Sequence, residues 1–208
     1  MLWILLVLLT VVGGAAAVGI AASERRKALP GSDATRALPA GGDRGVERSV
    51  RDVRVDDVLT IDGKDFLCEG LIQYDEDGHR WAAARVVDGT DERWLVIGIE
   101  RAGVGALRLL ALDDKTQVSG YPPEVLVIGE LRYALDKRGT ATCALTGELG
   151  GLSALKTSRP DGHVERARWW LYGAPGDDTL LLEQWGADFR VLRGKKVSDG
   201  MIELIPGS

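Results

Sequence analysis

The chain has 208 residues, of which 45% are hydrophobic and 27% charged, with a net charge of −5. That apolar content excludes wholesale disorder and can build one ordinary domain with an appendage, or two small ones. The acidic balance argues against nucleic acid as a partner, because phosphate contacts need Lys and Arg grouped on one face.

Residues 2–22 are an unbroken apolar run without a charged side chain. At ~1.5 Å per residue a helix of this length measures about 31 Å, close to the roughly 30 Å hydrocarbon core of a bilayer. Residues 1–22 are therefore predicted to form a transmembrane helix. No Lys or Arg precedes the run, unlike a cleaved secretory signal. Arg25, Arg26 and Lys27 follow it, and the positive-inside rule then puts the folded domain in the cytoplasm. The chain reads as a single-pass inner-membrane protein, with the membrane as one partner. Residues 23–49 mix Pro30, Pro39, Gly31, Gly41, Gly42 and charges, which predicts a flexible tether.

From Val53 onward the pattern changes to short β-type runs, predicting a β-rich domain over 50–205 with candidate halves 50–118 and 124–205. Val53, Val55, Val58 and Ile61 lead into Asp62-Gly63, a hairpin signal. The stretch 66–100 organises the rest. Strand alternation puts Phe66, Cys68, Gly70, Ile72 and Tyr74 on one face and Leu67, Glu69, Leu71 and Gln73 on the other. Asp75 to Gly78 turns the chain, residues 80–87 return, Asp88-Gly89 turns again, and 94–99 closes the meander. Residues 106–112 suit a strand better than a helix in this setting. Pro122-Pro123 marks a break. Further strands are predicted over 125–128, 131–135, 140–149, 164–172, 180–185, 189–192 and 197–205, with a loop over 150–162. The predicted fold is mainly β: an antiparallel sandwich or partly open barrel behind the transmembrane helix. Cys68 with Cys143, Asp77-Gly78-His79 with Asp161-Gly162-His163, and Trp94-Leu95 with Thr179-Leu180 suggest a duplicated β-meander.

No catalytic or cofactor constellation emerges from the residues. Cys68, His79, Cys143 and His163 have the count for a zinc site, but a strand of some eight residues would hold Cys68 about 25 Å from His79. No metal and no cofactor are expected. Asp75, Glu76 and Asp77 lack the oxygen spacing of a calcium loop. No nucleophile elbow, phosphate loop or dinucleotide fingerprint occurs. Adjacent Trp169 and Trp170 must point to opposite faces of a strand, so one lies outside the main core. These two and Trp185 are the candidate binding surface.

The residues Val58-Leu59-Thr60-Ile61-Asp62-Gly63, Phe66, Gly70, Ile72-Gln73-Tyr74, Trp81 and Trp94-Leu95 resemble the domain-of-unknown-function family 4178. Trp169, Leu181-Leu182-Glu183 and Trp185 are similar to the downstream part of longer members. The chain departs from that pattern at Ala82 to Ala84, where members often carry an acidic-aromatic pair. The resemblance implies a β-rich fold, a bacterial protein and an association with membrane-stress and polyamine-related systems, and no reaction. The function read from all this is a binding or scaffold module engaging an unidentified protein partner or small ligand. The second reading is an enzyme on a novel β-barrel using carboxylate chemistry.

Overall fold

The computed structural model describes residues 48–101, 107–150, 160 and 162–207. They form β1 (Val58–Ile61), β2 (Lys64–Glu76), β3 (His79–Asp88), β4 (Asp91–Ile97), β5 (Leu107–Leu112), β6 (Val125–Ile128), β7 (Leu131–Gly147), β8 (His163–Gly173), β9 (Asp178–Trp185), β10 (Asp188–Val197) and β11 (Ile202–Ile205). Short 3₁₀ turns cover Val50–Asp52 and Asp199–Met201.

Among these residues no helix is long and apolar enough to cross a membrane. The apolar run 2–22 and the tether as far as residue 47 lie outside the described residues, as does nearly all of the predicted loop after Gly150. The transmembrane helix, the single-pass inner-membrane location and the membrane as partner therefore find no support. Most apolar side chains of the described residues pack into cores between strands, and none of these residues forms a continuous apolar helix. The last two tether positions are ordered. Arg48 donates both terminal nitrogens to Asp57, at 3.0 and 2.5 Å, and Ser49 hydrogen-bonds Asp52.

Local chemistry explains the hairpins. Asp62-Gly63 joins β1 to β2, and Asp77-Gly78 joins β2 to β3, all four with positive φ. That is the twist an antiparallel pair needs from a two-residue turn. The strands form one eleven-stranded antiparallel sheet in the order β11-β1-β2-β3-β4-β5-β10-β9-β8-β7-β6, and an additional β2–β7 pairing closes it. The result is a closed ring of β2, β3, β4, β5, β10, β9, β8 and β7, with β1 and β11 extending from one side and β6 from the other. Neither a two-sheet sandwich nor an open barrel describes it. The seam depends on Gly70 facing Gly147. A Cβ on Gly70 would meet the Glu148 carbonyl oxygen well inside van der Waals contact, and one on Gly147 would meet that of Glu69.

The ladder repeats itself. Leu67↔Val87 and Cys68↔Val86 slip to Gly70↔Arg85, just as Ala134↔Gly173 and Leu135↔Tyr172 slip to Lys137↔Leu171. The hairpin β1–β2 has its counterpart in β6–β7. By this register Cys68 corresponds to Leu135 and not to Cys143, and Trp94-Leu95 corresponds to Leu181-Leu182. The bulge also alters the expected face of β2. It interrupts the period of two, so Phe66 and Cys68 join Leu71 in one core while Ile72 and Tyr74 enter another. Similarly, the predicted strands 131–135 and 140–149 are one long β7, bent at its bulge.

Three cores result. The ring interior holds Ile72, Tyr74, Trp81, Trp94, Val96, Cys143, Trp169, Leu171, Leu181, Trp185 and Leu192. A second core gathers Leu59, Phe66, Cys68, Val86, Leu95, Ile97 and Ile202 around β1 and β11. A third gathers Tyr133, Trp170, Tyr172, Leu180, Leu182 and Val191 near β6.

Candidate functional site

An eight-stranded barrel can fill itself with side chains or hold one small ligand. This one is filled. Glu183 on β9 and Arg190 on β10 face each other across the hairpin and are 0% and 1% exposed. Arg190 Nε donates to Glu183 Oε2 at 2.6 Å, and a terminal nitrogen of the same guanidinium completes the ion pair. Tyr74 Oη donates to Glu183 Oε1 at 2.5 Å, and Trp185 Nε1 donates to Oε2 at 3.2 Å. The guanidinium lies 4.0 Å from the centre of the Trp94 ring, whose electron-rich face suits a cation. Tyr74 also stacks on Trp81, with ring centres 3.5 Å apart. Burial, reinforced by the Glu183 charge, pushes the Tyr74 hydroxyl well above its ordinary value, so it stays a donor. Both oxygens of Glu183 are committed, and the network ties β2, β9 and β10 together inside the ring.

Arg108 is the counterpart of Arg190. It lies opposite Val96 as Arg190 lies opposite Glu183, so its carboxylate must come from elsewhere. Glu100 supplies it at 2.6 Å, and Lys196 approaches the same oxygen at 3.7 Å. Burial alone would raise the Glu100 carboxyl, but Arg108 and Lys196 hold it below its usual range.

The three tryptophans expected to form a binding surface are 3% (Trp169), 2% (Trp170) and 1% (Trp185) exposed. Trp169 and Trp185 sit inside the ring, while Trp170 faces the other way, beneath Tyr121 and beside Phe189. Cys68 and Cys143 are buried in different cores, free of any disulfide, and burial pushes both thiols up to about 12. Among the described residues, no three His, Cys, Asp or Glu side chains gather as metal ligands.

The free polar chemistry lies on the outer face of β7, β8 and β9. Ala167, Trp169 and Leu171 point into the ring, so Arg166 and Arg168 point out, about 7 Å apart along one strand. Thr140, Arg168 and Gln184 form a row across the sheet, and Thr142 lies opposite Arg166. Arg166, Arg168, Thr140, Gln184 and Gly186 line a groove of about 450 Å³. Neither arginine forms an ion pair or side-chain hydrogen bond among the described residues. Arg138 lies on the same face, opposite Trp170, and its contact with Glu124 is a loose 3.5 Å. A second cleft, of about 410 Å³, contains Asp75 and Arg80, but these already satisfy each other at 3.1 Å. The arginine pair was legible in Val164-Glu165-Arg166-Ala167-Arg168, where period-two spacing puts both cations on one face. The overall acidic balance of the chain masks this local cluster.

Fold and ladder together define a closed antiparallel barrel domain with an internally repeated strand pattern. By its sequence the chain belongs to the DUF4178 family, a domain of unknown function, matched over residues 54–199. Comparison with curated proteins and with solved structures finds no match.

Proposed function

We propose that this domain works by binding, and that its ligand is a small phosphate-bearing anion held on the outer face of β7–β9. The supporting observation is that Arg166 and Arg168 project side by side into one groove whose lining contains no carboxylate. A guanidinium presents a planar fork of donors that matches a phosphate, and two on one face can share its oxygens. Thr140 and Gln184 add neutral donors at the groove's edge. The filled interior favours an outer site, since Glu183 and Arg190 leave no room for a ligand between the strands. Three arginines on a short face suit a small anion better than the long phosphate track of a nucleic acid.

The reading is tested by calorimetric titration of the full chain with inorganic pyrophosphate at low salt. Each charge-assisted contact contributes about 1.5–3 kcal/mol, so Arg166→Ala and Arg168→Ala should each weaken binding about tenfold or more. Both side chains are exposed, so the thermal midpoint should not move. Added salt should weaken binding as well. Absence of binding by the parent chain, or equal binding by both variants, refutes the reading.

A further inference from the structure

Among the described residues the barrel's repeat is incomplete at one edge. In the first half, β11 lies beside β1, with Thr60↔Glu203 and Val58↔Ile205 in register. The hairpin alternation sets which groups face it. Cys68 donates its amide to the Asp57 carbonyl, so position 57 and every second residue after it bond to β2, and Val58 and Thr60 turn toward β11.

The second half repeats this arrangement up to the last step. Leu135 donates its amide to the Glu124 carbonyl, so Glu124, Leu126 and Ile128 bond to β7. The N–H and C=O groups of Val125 and Val127 then point away from the sheet. Val127 is the counterpart of Thr60, yet β6 ends the strand order and pairs with β7 alone among the described residues. Its sequence, Val-Leu-Val-Ile, has no charge, proline or bulge to blunt the edge. Val127 is 68% exposed, the highest value among the large hydrophobic residues described.

We propose that β6 pairs with β6 of a second copy of this chain, antiparallel about a two-fold axis through Val127. The period of two permits this register and excludes any that sets Val127 opposite Leu126 or Ile128. Residues opposite one another must share a face of the sheet, and with Val127 opposite its own counterpart, Leu126 falls opposite Ile128 and the third core continues across the interface. In that register the outward N–H and C=O of each Val127 bond those of the other, as Thr60 and Glu203 do in the first half. A two-fold contact uses one self-complementary patch on both subunits. Four residues a side make an interface smaller than the ~1,200–2,000 Å² of stable complexes, so the dimer should be reversible, with a Kd on the order of micromolar or weaker.

Sedimentation of the full chain from roughly 1 μM to 1 mM, a range bracketing that affinity, tests the proposal. A concentration-dependent dimer is expected. Val127→Lys should abolish it by placing like charges opposite each other. Val127→Pro should do so by removing the outward N–H, with no loss of a β6–β7 ladder bond. Hydrogen exchange at the Val125 and Val127 amides should slow as concentration rises. A monomer throughout the range overturns the proposal, as does a dimer that both variants retain. Slow exchange at Val127 independent of concentration also overturns it, because the edge would then be covered within a single chain.

Discussion

Replacing Glu183 with Leu strands the Arg190 guanidinium inside the barrel, 1% exposed, with the Trp94 and Trp185 rings and the Tyr74 hydroxyl but no counter-charge. Removing one partner of a buried ion pair costs about 3–5 kcal/mol, because the remaining charge loses its compensation and cannot reach water. Tyr74 and Trp185 lose their shared acceptor as well, which places the expected loss at the upper end of that range. For a domain of this size each kcal/mol moves the thermal midpoint about 2–4 °C, so a fall of roughly 10 °C or more is expected. Arg190→Met strands the carboxylate instead and should cost about as much. The double variant Glu183→Leu/Arg190→Met removes both charges and substitutes apolar volume, so it should return to within about 2 kcal/mol of the parent. Urea unfolding of all four proteins, with m-values compared to exclude a change in the unfolded state, gives the coupling energy directly. Single variants that lose less than about 1 kcal/mol, or a double variant that loses the sum of both, would refute the account of Glu183 and Arg190 as the barrel's internal clamp.

The remaining expectations concern the seam, the thiols and the N-terminal clasp. Gly70→Ala should cost about 3 kcal/mol by forcing β2 away from Glu148, whereas Gly200→Ala, which meets nothing within 4 Å, should be nearly neutral in the same urea assay. Cys68 and Cys143, buried and with thiols pushed up to about 12, should resist alkylation at pH 8 in the native protein and react fully once it unfolds, as mass spectrometry would show. Burial alone would raise the Asp57 carboxyl, but hydrogen bonds from Arg48, Gly207 and Arg54 hold it below its ordinary range. Its contribution to stability is therefore complete above the unfolded value near ~3.9 and disappears as pH falls through the lower folded value. Asp57→Asn should lose about 1–3 kcal/mol at neutral pH and show a flatter decline of stability in acid.

The strands were largely legible because this chain writes its turns plainly. Asp62-Gly63 and Asp77-Gly78 fall at the hairpins their sequence signals, and residues 125–128 were bounded as observed. The closure was not legible. The β2–β7 pairing rests on Gly70 meeting Gly147, and nothing in either glycine's neighbourhood announces a partner so distant in sequence. The bulge at Glu69 was equally silent, and alternation read through it assigned Phe66 and Tyr74 to one face. The tryptophans misled for a related reason. Trp169-Trp170 shows that two faces exist, but not that Tyr121 covers the outer one. Glu183 carried a signal that could have been used. A carboxylate amid Leu180-Leu181-Leu182 is costly unless paired, and Arg190 stands at the mirrored position across the Gly186-Ala187 turn.

Both junctions that seal the ring, β2 with β7 and β5 with β10, join a strand from the first meander to one from the second. Neither meander can enclose the central aromatic cluster by itself. During synthesis the β5 margin of the first meander stays unpaired until β10 has left the ribosome, whereas β2 can pair with β7 earlier. Long-range pairing of this kind is intrinsically slow. The growing chain is thus most vulnerable to aggregation just before its final strands emerge.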